Sequence, residues 1–197
     1  MGQIKMLFNE EKHEYSIAGI VIPSVTQIIK DGGLINLDWI DKELLESKAD
    51  LGKKVHTTTE FYDKGTLNVD ELHPTLKTYL DGWIKFRTDY NFTPTEIELQ
   101  LFHSLYRYAG KIDRVGLMSK DLTLLDIKSG TPQKSHAIQN SAYKGLHDQN
   151  KKKSEQIKKR FTIYLSEDGY KVIEDKNPND WNVFLSCLTI SNFLRRK

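Results

Sequence analysis

The run Leu122-Thr123-Leu124-Leu125-Asp126-Ile127-Lys128 restricts the fold more than any other segment of this chain. Its apolar and β-branched residues mark a strand, and side chains on a strand alternate between two faces. Asp126 and Lys128 therefore share one face, while Ile127 points the other way into a core. A similar short run, Tyr108 to Ile112, carries Gly110, where another part of the chain can pass close by, and ends at Asp113. Paired as a hairpin, the two strands bring both aspartates to one end of a sheet with an ammonium beside them. Carboxylates so placed can hold a hard divalent cation, and a lysine there can support an attacking water or charge developing on phosphorus. Taken alone, an Asp-x-Lys triplet on a strand is more often a solvated edge face.

Two four-residue spacings add polar groups to this pair. Gly52, His56 and Glu60 recur along a helical pattern whose apolar positions include Leu44, Leu45, Leu51, Val55 and Thr59, and so stack on one face. His56 can be a metal ligand with Glu60 as its orienting partner; a surface helix with Glu60 paired to a neighbour has the same spacing. Gln139 and Tyr143 are also four apart, beside the apolar stripe Ile138, Ala142 and Leu146 of a helix expected over 135–146. They offer an amide and a phenol to a phosphate or to the lysine, or simply form a half-buried helix face. Thr93 to Phe102 alternates as a strand with Glu96, Glu98 and Gln100 on one side, which makes Glu98 a further carboxylate candidate and Glu96 its competitor.

The rest of the scaffold follows from punctuation. Met6 to Ile22 has the pattern of a β-meander turning at Ala18-Gly19, and Ser24 caps a helix through Lys30 that Asp31-Gly32-Gly33 stops. Leu37 to Asp63 is helical, as one helix or two, and Pro74 to Tyr90 is another helix. Arg160 to Leu165 and Tyr170 to Glu174 form a hairpin, and Asn179 or Asp180 caps a final helix.

The chain of 197 residues carries a formal charge of only +2, so attraction for a polyanion has to come from local patches. One candidate is Lys151-Lys152-Lys153, with Lys134 and Lys144 nearby in sequence; a solvated loop is the alternative. No apolar run approaches the ~20 residues of a membrane helix, and the first residues lack the apolar core of a signal peptide. No GxxxxGK[ST] loop is present, so no nucleotide cofactor is expected. Cys187, the single cysteine, cannot form an internal disulfide, which fits a reducing, cytoplasmic setting.

Taken in order, GxxxHxxxE (Gly52, His56, Glu60), a strand bearing Glu98, AGKID (Ala109 to Asp113), DIK (Asp126 to Lys128) and QNSAY (Gln139 to Tyr143) resemble the RecB-like branch of the PD-(D/E)XK nucleases. The opening His13-Glu14-Tyr15 with Ile22-Pro23-Ser24-Val25-Thr26 and the tail Asn179-Asp180-Trp181 are similar to its small phage-type and mitochondrial-type members. The proline that names the superfamily is absent before Asp113, where Lys111-Ile112 stands. One cysteine also rules out the subgroup with a four-cysteine iron–sulfur cluster.

The resemblance implies one domain over 1–197 of the α/β (α+β) class. It would have a restriction-endonuclease-like core, a central mixed β-sheet flanked by helices, with an N-terminal β-meander and a helical insertion. It implies a Mg2+- or Mn2+-dependent DNA exonuclease of recombination, replication or repair, with Asp113, Asp126, the Ile127 carbonyl and His56 as metal ligands. Lys128 would be the catalytic lysine, Glu98 a carboxylate beside the metal or one layer behind its ligands, and Gln139 and Tyr143 would face the site. DNA is the implied partner, alongside a recombinase, annealing protein or helicase. An endonuclease of the same fold and a non-catalytic nucleic-acid-binding module are the alternatives.

Overall fold

Two sheets organise the chain in a computed structural model that describes residues 6–10, 12, 14–36 and 40–196. His13 of the opening motif and the expected helix start at Leu37 lie outside the described residues. The first sheet is an antiparallel meander of β1 (Met6–Asn9), β2 (Glu14–Ile17) and β3 (Ile20–Ile22). Its β2–β3 turn is Ala18-Gly19, both with positive φ (50° and 78°), as a two-residue hairpin turn matched to strand twist requires. Ser24 then caps α1 (Val25–Asp31) in a reciprocal capping box with Gln27. Next come α2 (Lys42–Asp63), capped by Asp41, and α3 (Pro74–Asp89), with proline in its first turn. The stretch expected as one helix or two is thus a single helix from Lys42, and Leu44, expected in its apolar stripe, stays 48% exposed.

The second sheet contains β4 (Phe92–His103), β5 (Tyr108–Met118), β6 (Asp121–Lys128), β7 (Lys159–Ser166) and β8 (Gly169–Glu174), in that spatial order. Neighbours are antiparallel except β6 and β7, which are parallel and joined through α4 (Lys134–Asp148). A parallel pair needs such a long crossover, and this makes the sheet mixed. The last element is α5 (Asp180–Leu194).

Both faces of this sheet are covered. Leu125 and Ile127 pack with Val55 of α2, Trp83 and Phe86 of α3, and Ile163 of β7. Ile112 and Leu124 pack on the other side with Ile28 of α1, Ile138 and Leu146 of α4, and Phe184 and Cys187 of α5. The architecture is therefore α+β, a central mixed five-stranded sheet flanked by helices with an antiparallel three-stranded sheet before it. Among the described residues no helix is long and apolar enough to cross a membrane.

One departure from the sequence reading bears on the site. Asp113 does not end a short strand; β5 runs on through Met118, so Asp113 lies in mid-strand. Gly110, three residues earlier, lets α4 and α1 close onto β5. A Cβ there would come within 2.8 Å of the Tyr143 ring and 3.1 Å of both Leu146 and Val25. Because three packed elements would have to give way together, Gly110→Ala is expected to cost about 1–3 kcal/mol. A urea unfolding midpoint equal to that of the parent protein would contradict this account of the α1–β5–α4 contact.

Candidate functional site

The hairpin of β5 and β6 forks where the two aspartates lie. Pairing proceeds from Met118↔Asp121 to Arg114↔Leu125, and beyond that the Ile127 N–H donates to Asp113 Oδ2 at 2.7 Å. A side-chain carboxylate thus replaces the next rung of the ladder. N–H and C=O of one strand residue point to the same edge, so the Ile127 carbonyl faces the same gap. Ile127 itself is fully buried in the core, as its alternation with Asp126 and Lys128 predicts.

The fork opens into a cleft of about 290 Å³ lined by residues of seven elements, β2, α1, α2, β4, β5, β6 and α4. Asp113 and Lys111 come from β5, Asp126 and Lys128 from β6, Glu98 from β4, and Lys53, His56, Thr57 and Glu60 from α2; Tyr143 of α4 closes the back. Among the described residues, His56, Glu98 and Asp113 each offer an atom within 4.8 Å of the others', the geometry of a metal-holding group. His56 Nδ1 is 3.6 Å from Asp113 Oδ1, the oxygen not engaged by Ile127. Of the two places expected for Glu98, the geometry favours the inner one, while Asp126 lies outside this triad, tied to Lys128.

That tie is incomplete. Lys128 Nζ donates to Asp126 Oδ1 at 2.8 Å and lies 2.7 Å from Oδ2, but Oδ2 is buried without a hydrogen bond of proper geometry. Burial outweighs the nearby ammonium and pushes the Asp126 carboxyl up to about 6, with Asp113 adding to the rise. For Lys128, burial works against the charge, but Asp126 and Asp113 more than offset it and raise its pKa.

Glu98 is fixed from two sides. Lys111 Nζ is 2.5 Å from its Oε2, and Arg114 donates to Oε1 at 2.9 Å. Its backbone has φ +52°, a left-handed conformation that is strained for a non-glycine residue within a strand. Arg114, fully buried, also donates to Asp63 Oδ2 at 2.6 Å, to the Asp113 carbonyl and to Thr59. Asp63 in turn accepts from Arg87 at 2.6 Å and from the Trp83 indole at 3.0 Å. This buried network joins α2, α3, β4 and β5 directly behind the cleft.

Other expected residues fall at graded distances. Gln139 donates to the Tyr143 hydroxyl at 2.8 Å and lies just behind the cleft; burial, with Asp126 and Asp113 nearby, holds the Tyr143 pKa well up. Glu60 lines the cleft, but its carboxylate meets Lys64 at 2.5 Å and does not orient His56. Glu96 is exposed in a different cavity, which leaves Glu98 as the β4 carboxylate of the site.

The expected lysine patch does not assemble at the cleft. Lys144 pairs with Asp148 and lines a separate cavity with Arg160 and Trp181. Lys151 meets His147 at 3.0 Å, and Lys152 and Lys153 belong to a 3₁₀ turn beside it. That turn leads into Lys158, whose N–H donates to Leu122 at the start of β6, whereas Asp126 and Lys128 sit at its end. Lys134 is exposed at the start of α4 and does not line the cleft.

Lys53, Lys111 and Arg114 were not among the expected site residues. Neither was His136, whose Nδ1 is 2.8 Å from the Tyr164 hydroxyl, on the strand position paired with Lys128. Burial and the charge of Lys128 pull the His136 pKa down to about 4.

No protein-family model and no curated protein matches the chain. Among solved structures it is similar to one described as the crystal structure of SSO0001, at 18% identity and a TM-score of 0.41. The match covers 59% of this chain and 56% of that one, so the chain spans little more than half of that structure's length.

Two predictions follow from the buried charges. Arg114→Ala removes the buried cation that Asp63 and Glu98 share and is expected to destabilise the fold by about 3–5 kcal/mol; a loss below 1 kcal/mol in urea unfolding would show the network to be dispensable. His136, whose folded pKa lies below its ordinary value of 6.5, favours the fold above pH 6.5, and that contribution is lost as pH falls toward 4. Between pH 7 and 4.5 the parent's unfolding midpoint should therefore drop more than that of His136→Gln, and parallel curves would refute the assignment.

Proposed function

We propose that this protein is a metal-dependent DNA nuclease of the RecB-like PD-(D/E)XK type, trimming DNA ends as an exonuclease. The observation that carries the reading is the convergence of His56, Glu98, Asp113, Asp126 and Lys128 on one cleft at the β5–β6 fork. A bland alternative, a solvated edge strand, does not suit Asp126 and Asp113, which are 1% and 6% exposed.

The donor set fits a hard divalent cation. Asp113 Oδ1 is free of the Ile127 bond that holds its partner oxygen, and Asp126 Oδ2, buried 2.7 Å from Lys128 Nζ, makes no hydrogen bond of proper geometry. With His56 and the Ile127 carbonyl they would hold Mg2+ or Mn2+; Glu98 joins them where Lys111 yields an oxygen. A bound cation supplies Lewis acidity toward a phosphoryl oxygen and makes its water more acidic. Lys128, kept as an ammonium against Asp126, donates to the attacking water or to a non-bridging phosphate oxygen. Tyr143, fixed by Gln139, walls the cleft against bulk water, and Arg114 holds Glu98 and the Asp113 backbone in place.

The test is a time course on end-labelled single- and double-stranded DNA with Mg2+, with Mn2+ and with EDTA. Asp113→Asn keeps an acceptor for the Ile127 N–H, so it is expected to fold while losing at least about 100-fold in turnover; Lys128→Ala should lose as much. Wild-type turnover in either variant, or undiminished turnover in EDTA, would overturn the reading. Covalently closed circles should survive intact, and their linearisation would replace the exonuclease with an endonuclease.

A further inference from the structure

Which surface leads a polyanion into the cleft is decided by cations that have no carboxylate of their own. Most basic side chains around the cleft are spoken for: Lys128 by Asp126, Lys111 by Glu98, Lys64 by Glu60, and Lys54, next along α2, by Asp50 at 2.7 Å. Lys53 differs. It lines the cleft and is exposed, and among the described residues it is the one cleft-lining cation with no ion-pair partner.

Its position is set by α2. Lys53 is three residues before His56 and four before Thr57, so the three project from one side of the helix toward the same opening. Gly52, immediately before it, lies against the chain just past Lys128, where a Cβ would stand 3.4 Å from Ser129 Oγ. The mouth of α2 is thereby close to the outgoing end of β6. Across the opening, Thr26 of α1 is exposed, lines the same cleft and places its Oγ1 3.4 Å from Gln139 Nε2. An ammonium and a threonine hydroxyl on α2 and a second hydroxyl on α1 thus line one opening with the carboxylates, and the ammonium has no ion-pair partner among the described residues.

We propose that Lys53 and Thr57, with Thr26 opposite, form the phosphate-binding subsite of this cleft, taking a backbone phosphate next to the one at Asp113 and Lys128. The inference rests on the nuclease reading and names the residues through which the polyanion is held. It also gives the Lys151–Lys153 cluster no part in that contact, since those side chains lie at the other end of β6.

The experiment is equilibrium binding of a fluorescent oligonucleotide in EDTA, where no turnover occurs, measured over a series of salt concentrations. Loss of one phosphate contact should weaken binding by Lys53→Ala about tenfold and reduce the slope of log K against log salt by about 0.7 to 0.9. Lys53→Arg should restore most of both, and the double variant Lys152→Ala/Lys153→Ala should match the parent. In Mg2+, Lys53→Ala should raise KM and leave kcat within about twofold of the parent. An unchanged affinity and salt slope in Lys53→Ala, or a larger loss in the double variant, would overturn this assignment while leaving the nuclease reading in place. Failure of the parent protein itself to bind at low salt would overturn both.

Discussion

The hydrogen bond from the Ile127 N–H to Asp113 Oδ2 is the contact on which the cleft depends. A hydrogen bond to an ionised carboxylate is stronger than the amide–carbonyl bond it replaces, so β6 can leave the ladder there without an orphaned donor. Its place along the strands is fixed by packing, because a shift of one residue would turn Ile112 and Leu124 away from one core and Leu125 and Ile127 away from the other. The fork therefore opens at Asp113 and Asp126 and nowhere else along the hairpin. One oxygen of Asp113 completes the backbone, and the other faces His56 in the cleft.

Arg114 gives the fork its rigidity. It is adjacent to Asp113, and its guanidinium reaches Asp63, Glu98, Thr59 and the Asp113 carbonyl at once. A planar fork with five donors can do this from a fully buried position; a lysine ammonium, with three donors at one point, cannot span them. The carboxylate of Glu98, on a neighbouring strand, is thereby locked relative to α2, which carries His56. The geometry of the cleft is thus inherited from a buried ionic network and not from exposed loops.

Much of this was legible in the residue pattern. Alternation on a strand buried on both faces placed Asp126, Ile127 and Lys128 correctly, and four-residue helical spacing brought His56 to the cleft and Gln139 to Tyr143. The same alternation places Lys111 beside Asp113, two positions apart on β5, although the motif draws notice to the acid alone. The full length of β5 was hidden because two consecutive charges, Asp113 and Arg114, interrupt its apolar run, and the partners of Arg114, Asp63 and Glu98, are distant in sequence. The position of the lysine cluster was not legible: charge density along the chain says neither which cations already have acids, as Lys144 has Asp148 one helical turn away, nor to which end of β6 the 3₁₀ turn of Lys152 and Lys153 is brought.

The unfavourable features of the molecule gather at the place proposed for chemistry. Glu98 holds a left-handed backbone within a strand, Asp126 is buried with one oxygen lacking a hydrogen bond, and its carboxyl is driven upward despite a lysine in contact. Each such feature destabilises the fold, and they persist because packed cores on both sides of the sheet over-determine the strands that carry them. A chain free of any demand at this cleft would relieve them cheaply, for instance with an amide at 126 or a glycine at 98. Their coexistence within one cavity fits the proposed reading, in which a bound cation would add to the positive charge of the protein's own lysines.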